Sequence, residues 1–298
     1  MSEYQYYDFR AIDKPLDQDE MDDLRSVSSR AEITSFSFTN EYSYGSFRGK
    51  SEDLMSRYFD AFVYVANWGT RRLMFRLPRR LFDVERATTY CNDHALELVA
   101  KKDFVLLEFN SEEEGGGEWI DGKPWMGSLV SLRADLMRGD FRALYLGWLA
   151  SFESRGWYDV NEIGEDGDLY EPSVPPGLAK LTAPLEALAD FLRVEEALIE
   201  AAAAGENGKA LAEPAREELA RWLKKIPAAA KEGYLLRFLA AEGDELLRAE
   251  LFQRYRVATT PKTKQTSVAE RRTVAQLLAA RDALVEKRNR GPVKNRKK

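Results

Sequence analysis

An α+β protein is predicted: a ferredoxin-like α/β sandwich with extra elements at residues 1–127, an all-helical bundle at 128–257 and a basic tail at 258–298. Three observations predict it. Up to about residue 110, short aromatic or alternating runs and helical spacings follow one another in the order β–α–β–(α)–β–β–α–β–β. From Ser128 onward, apolar residues recur at spacings of three and four. Residues 261–298 carry twelve Lys and Arg against three Glu and Asp, a net +9 in a chain of formal charge −6.

The first strand is expected from Glu3 to Ile12, where Tyr4, Tyr6, Tyr7 and Phe9 cluster. Asp17 suits a helix N-cap, Asp19 and Glu20 suit the first turn, and Met21, Leu24 and Val27 fall on one face. A second strand is expected around Glu32 to Thr39, then a loop from Asn40 to Lys50. Ser51 is read as the cap of a short helix that buries Leu54, Met55 and Tyr58. Strands from Phe59 to Asn67 and from Thr70 to Leu77 flank the Trp68-Gly69 turn as a hairpin. A helix from Leu81 to Thr89 precedes two strands, Ala95 to Ala100 and Phe104 to Phe109. Residues 111–127 are polar and Gly-rich and read as an exposed loop.

The stretch from Ser128 to Leu149 is read as the centre of the molecule. Leu129, Leu132, Leu136, Leu144, Leu146 and Leu149 keep helical spacing on both sides of Gly139. Gly139 is able to end one helix in the left-handed conformation, and Asp140 is able to cap the next. The second helix, from about Phe141, is apolar on most sides, so burial on most sides is expected. Charges stand out against this background: Arg133, Asp135, Arg138, Asp140 and Arg142. One reading is a polar site at a helix junction with arginines facing an anion. The other is a set of ion pairs, with Arg133 or Arg138 holding a carboxylate, which says little about activity.

Residues 153–177 read as an acidic connector stiffened by Pro172, Pro175 and Pro176. The run from Asp159 begins like a calcium loop, but Ile163 and Tyr170 stand where oxygen ligands belong. Helices follow. Thr182 and Pro184 start the first, with a stripe of Leu185, Leu188, Leu192, Leu198 and Ile199 interrupted near Arg193. Gly205 to Gly208 breaks the chain, and Pro214, Pro227 and Gly243-Asp244 mark three more helix starts. In the tail, Val274, Leu277, Leu278, Leu284 and Val285 share one side of a helix expected from Val268 to Glu286, packed on the body or on a partner.

Composition excludes several chemistries. Cys91 is the one cysteine and His94 the one histidine, so neither a disulfide nor a four-ligand Cys/His zinc site is available within the chain. No metal and no cofactor is expected, and the Cys91–His94 pair near a helix end reads as structural. No run reaches the roughly 18–20 apolar residues of a membrane span, and the N-terminus lacks a signal-peptide pattern. A cytoplasmic location is expected. The candidate anion contacts of the tail are Lys262, Lys264, Arg271, Arg272, Arg281, Lys287, Arg288, Arg290, Lys294, Arg296, Lys297 and Lys298. The rest of the chain carries −15, which repels a polyanion where the tail attracts one.

Four segments carry a resemblance: EYQYYDFRAIDKPL at 3–16, ANWGTRRLMFRLP at 66–78, RADLMRGDFRALYLGWL at 133–149 and EPSVPPGL at 171–178. Together they resemble a family of uncharacterised bacterial proteins, over residues 1 to about 255. The resemblance implies a shared architecture and assigns no activity.

Three functions fit. The first is a non-catalytic interaction or scaffold subunit of a bacterial multicomponent system with a protein partner. The second is a nucleic-acid-associated protein that uses the tail. The third is an enzyme with a polar site at residues 133–142.

Overall fold

The sheet is built outward from β1, Gln5–Arg10, which pairs antiparallel along its whole length with β3, Ser37–Tyr42, and with β4, Ala61–Ala66. The computed structural model describes residues 4–45, 47–92, 94–113, 120–152, 169–206, 214–240, 244–259 and 271–290. Over these residues the chain is α+β, as expected. β2, Glu32–Thr34, extends one side of the sheet. On the other side follow β5, Arg71–Pro78, then β7, Phe104–Ser111, then β6, Leu96–Ala100. The order is β2-β3-β1-β4-β5-β7-β6, with every neighbour antiparallel. A ferredoxin-like βαββαβ unit supplies four strands, so this sheet is the larger one.

The expected single strand at Glu32 to Thr39 is a hairpin instead. The Thr34 and Ser37 hydroxyls meet at 2.7 Å, and the Phe36 N–H donates to Thr34 Oγ1 at 3.2 Å. These side-chain bonds close a turn that strand propensity does not foresee, and β3 runs on into the expected loop.

Strand alternation gives the sheet two apolar faces. On one, Tyr7, Phe9, Phe38, Phe62, Tyr64 and Met74 pack with Leu24 of α1, Gln18–Val27, and with Leu54 and Met55 of α2, Ser51–Arg57. The expected cap is present: the Asp17 carboxylate accepts from the Glu20 N–H, and Glu20 accepts from the Asp17 N–H, each at 2.9 Å. Tyr4, Tyr6, Tyr7 and Phe9 are all buried, so they form core rather than a stacking surface.

The other face carries Val63, Val65, Leu73, Phe75, Leu107 and Phe109, covered by a helical layer. Its members include α3, Val84–Thr88; α4, Lys123–Leu129; α5, Leu132–Met137; α6, Arg142–Leu149; α7, Ala183–Phe191; and α8, Glu196–Ala203. α4 lies where a loop to residue 127 was expected. Pro124 sits in its first turn, Met126 and Leu129 are buried, and the preceding Gly122 N–H donates to the Tyr4 hydroxyl at 3.2 Å. α7 and α8 are separated at Arg193, whose φ is 59°. That left-handed residue is held by bonds to Ser111 Oγ at 2.7 Å and to the Gly69 carbonyl at 2.9 Å.

α6 is the centre of this layer. Every residue from Ala143 to Leu149 is buried. It lies against β6 of the sheet on one side and against α7 and α8 on the other. Gly147 makes the approach possible: a Cβ there would stand 2.9 Å from Phe109 Cδ1 and 3.3 Å from Leu96 Cδ2.

The chain then adds α9, Arg216–Lys225; α10, Ala228–Leu239; α11, Asp244–Thr259; and α12, Val274–Arg290. α9 and α10 bury none of their own residues, whereas α12 packs along α8 with Val274, Leu277 and Leu278 in the core. The expected helix start at Val268 lies outside the described residues; α12 begins at Val274, after non-helical residues 271–273. It is part of the main apolar cluster, which runs from Ala61 to Leu278. No helix among the described residues is long and apolar enough to cross a membrane.

Leu144→Ala is expected to cost about 2–5 kcal/mol in urea unfolding, as for a truncated core leucine. Gly147→Ala is expected to cost about 1–3 kcal/mol, because the new methyl must displace Phe109 or Leu96. Full stability in both variants would remove α6 from the centre of the fold.

Candidate functional site

Arg133 leaves the group it was predicted with. α5 carries its guanidinium inward, and the side chain has no solvent exposure. It donates to both carboxylate oxygens of Asp13, at 2.9 and 2.6 Å, to Glu245 Oε2 of α11 at 3.1 Å, and to the Arg76 carbonyl of β5 at 3.0 Å. Asp60 stands 3.7 Å away. Asp60 also accepts from the N–H groups of Ile12 and Asp13, at 2.7 and 2.8 Å, and pairs with Arg76 at 2.8 Å. Two guanidiniums therefore serve three carboxylates in a largely dry site. Burial pushes the Asp13 and Glu245 carboxyls above their ordinary range, against the pull of Arg133.

The other four predicted residues stay together. Gly139, at φ 79°, breaks the chain between α5 and α6 as expected. Arg138 pairs with Asp135 three residues back. Arg142 pairs with Asp140 at 2.6 Å and donates to the Gly177 carbonyl at 3.2 Å. The Asp140 carboxylate also accepts the Arg142 N–H at 3.1 Å, but the N-cap position of α6 is Phe141 rather than the expected Asp140. The second reason for a glycine lies across the junction. The Arg256 guanidinium of α11 donates to the Arg138 carbonyl, and a side chain at 139 would run into it.

Asp135, Arg138, Asp140 and Arg142 line one wall of an open cleft of about 1300 Å³. α9 and α11 form the other walls, with Glu218, Arg221, Trp222, Lys225, Phe252, Arg254, Tyr255 and Arg256. Trp222 and Tyr255 meet edge to face at 5.5 Å. The lining holds six cations and three carboxylates. Burial lowers the affinity of Arg256 for its proton, and the neighbouring Arg86 adds to this. Neither Cys91 nor His94 borders the cleft. Cys91 faces the Ala87 carbonyl at 3.7 Å, and His94 lies on the sheet side. No group of three or more potential metal ligands occurs among the described residues.

The tail cations among the described residues divide into three sets. Arg272 is held inside: its guanidinium bonds both oxygens of Glu171 at 2.8 Å and the Ala201 carbonyl at 2.8 Å. Glu171 also accepts from the Tyr145 hydroxyl of α6, and the burial and negative charge there hold that hydroxyl well above its ordinary pKa. Arg288 pairs with Glu196 and Glu200 of α8, Arg281 with Asp282 and Arg290 with Glu286. Lys287 is exposed and Arg271 half-buried. Lys262, Lys264, Lys294, Arg296, Lys297 and Lys298 lie outside the described residues, as does the calcium-like run up to residue 168.

Sequence reasoning missed Asp13, Asp60 and Glu245 as the partners of Arg133, and it did not bring Trp222, Tyr255 and Phe252 to the helix junction. Asp13 and Glu245 are 120 and 112 residues from Arg133, so no local spacing announces them. Comparison with protein-family models, with curated proteins and with solved structures found no match.

Glu245 gives this site a pH signature. Its folded-state pKa lies above its ordinary 4.5, so between the two values the native state binds the proton more tightly than the unfolded chain does. The resulting stability is fully present below the ordinary value and lost as pH rises through the raised one. Urea midpoints should therefore show native protein gaining on Glu245→Gln as pH falls from 7 toward about 4. A difference that grows with rising pH would contradict the assignment.

Proposed function

We propose that this protein is a non-catalytic interaction subunit of a bacterial multicomponent system, working in the cytoplasm, and that its outer helices dock a partner protein. The observation that carries this reading is α10. Leu235, Leu236, Phe238 and Leu239 are 63, 61, 56 and 79% exposed within five successive positions of one helix. Leu223 of α9 and Val257 of α11 are exposed as well. Large apolar side chains grouped this way mark an interaction surface rather than ordinary surface scatter. The cation-rich cleft is bordered by α9 and α11, so the partner is a protein with an apolar patch and carboxylates beside it.

The charges of the helix junction support the same reading over an enzyme. Arg138 and Arg142 are each matched to a carboxylate, and the carboxyls with raised pKa, Asp13 and Glu245 beside Arg133 and Asp8 and Glu108 on the sheet, all lie outside the cleft. We also read β1 to β4 with α1 and α2 as a ferredoxin-like unit that later strands extend. The order β2-β3-β1-β4 and the placing of both helices on one face favour it. The family suggested by the four motif segments belongs to this proposal too.

The test is capture of partners by the full chain, compared with a Leu236→Glu/Phe238→Glu variant. The substitutions lie on an exposed face and should change stability by no more than about 0.5 kcal/mol. Capture of one defined protein should fall about tenfold or more. Equal capture by the variant and the native chain would overturn the reading.

A further inference from the structure

We propose that the cleft beneath the helix junction binds an acidic peptide segment of the partner, with carboxylates on Arg221, Lys225 and Arg256 and an apolar side chain against Trp222 and Phe252. The proposal rests on the interaction reading above and gives that partner its chemistry.

Charge comes first. Of the six lining cations, Arg138 and Arg142 are matched by Asp135 and Asp140. Arg221, Lys225, Arg254 and Arg256 remain, opposed by Glu218, which accepts from the Tyr255 hydroxyl at 3.3 Å. None of these four cations has an ion-pair partner among the described residues. Arg256 is the telling one. It is half-buried, close to Arg86, and its guanidinium reaches a carbonyl rather than a carboxylate. A desolvated cation of this kind gains most from an incoming anion.

Size and lining then select the class of anion. A cleft of about 1300 Å³ exceeds the roughly 300–1,000 Å³ typical of small-molecule sites. Trp222, Ile226, Pro227 and Phe252 provide apolar wall that an inorganic anion or a bare phosphate does not use. A polynucleotide would run beyond the cleft onto a chain of net charge −6, whose positive excess is concentrated in residues 261–298. Screening over about 10 Å at 0.1 M salt confines the attraction to the cleft itself. A short segment that alternates carboxylates with an apolar anchor satisfies all three conditions.

The experiment uses the full chain and fluorescence anisotropy with three labelled probes: a short peptide alternating Glu with Leu and Trp, the same peptide with Gln for every Glu, and a single-stranded oligonucleotide. The Glu peptide should bind about tenfold or more tightly than the Gln peptide. Arg221→Glu/Lys225→Glu, both exposed positions, should abolish that preference at unchanged melting temperature. Equal binding of the two peptides, or tighter binding of the oligonucleotide that the same variant removes, would overturn the proposal. The Leu236→Glu/Phe238→Glu variant separates this claim from the one it rests on. If partner capture depends on α10 while Arg221→Glu/Lys225→Glu captures normally and the Glu peptide shows no preference, the cleft proposal fails and the interaction reading stands. If the Glu peptide binds through Arg221 and Lys225 but no partner depends on α10, the cleft keeps its ligand class and the docking reading fails.

Discussion

A guanidinium sealed from water has to be matched by charge and hydrogen bonds, and Arg133 sets that condition at the place where the layers meet. Its partners come from the β1–α1 connection, the start of β4, the backbone of β5 and the outer helix α11. Removing one partner of such a group leaves an uncompensated buried charge, a loss of about 3–5 kcal/mol. Hydrophobic packing brings the helical layer to the sheet, and it is not directional. The Arg133 contacts are directional. They fix how α5 sits over β5 and where α11 crosses, and hence how Arg256 meets Gly139. The cleft is a consequence of that crossing.

The same logic operates at the far end of the layer. Arg272, Glu171 and Tyr145 join the start of the tail to α6, and the apolar side of α12 continues the core along α8. Charge that looked available to an outside anion is partly spent within the fold. In the cleft, by contrast, Arg221, Lys225, Arg254 and Arg256 have no ion-pair partner among the described residues.

Local patterns in the sequence were readable where local physics decides. The Asp17–Glu20 cap, the Trp68-Gly69 hairpin turn, the left-handed Gly139 and the interruption at Arg193 all appear in the structure. The apolar α6 was legible because almost every one of its faces is buried. The errors fall where a side chain decides. Thr34 and Ser37 hydroxyls turned one strand into two, and the contact of Gly122 with Tyr4 let a helix start inside an apparent loop. Of the predicted polar site, four residues share the cleft because they are neighbours in the chain, and Arg133 leaves because α5 turns it inward. Its partners and the far wall of the cleft come from distant helices, which no periodicity links.

Arg133 and Asp13 act as a unit that ties helix to sheet. A double-mutant cycle with Arg133→Met and Asp13→Asn, read by urea unfolding of the full chain, measures this directly. A coupling energy of about 1–3 kcal/mol is predicted for groups in one buried network. Additivity to within about 0.3–0.5 kcal/mol would contradict it.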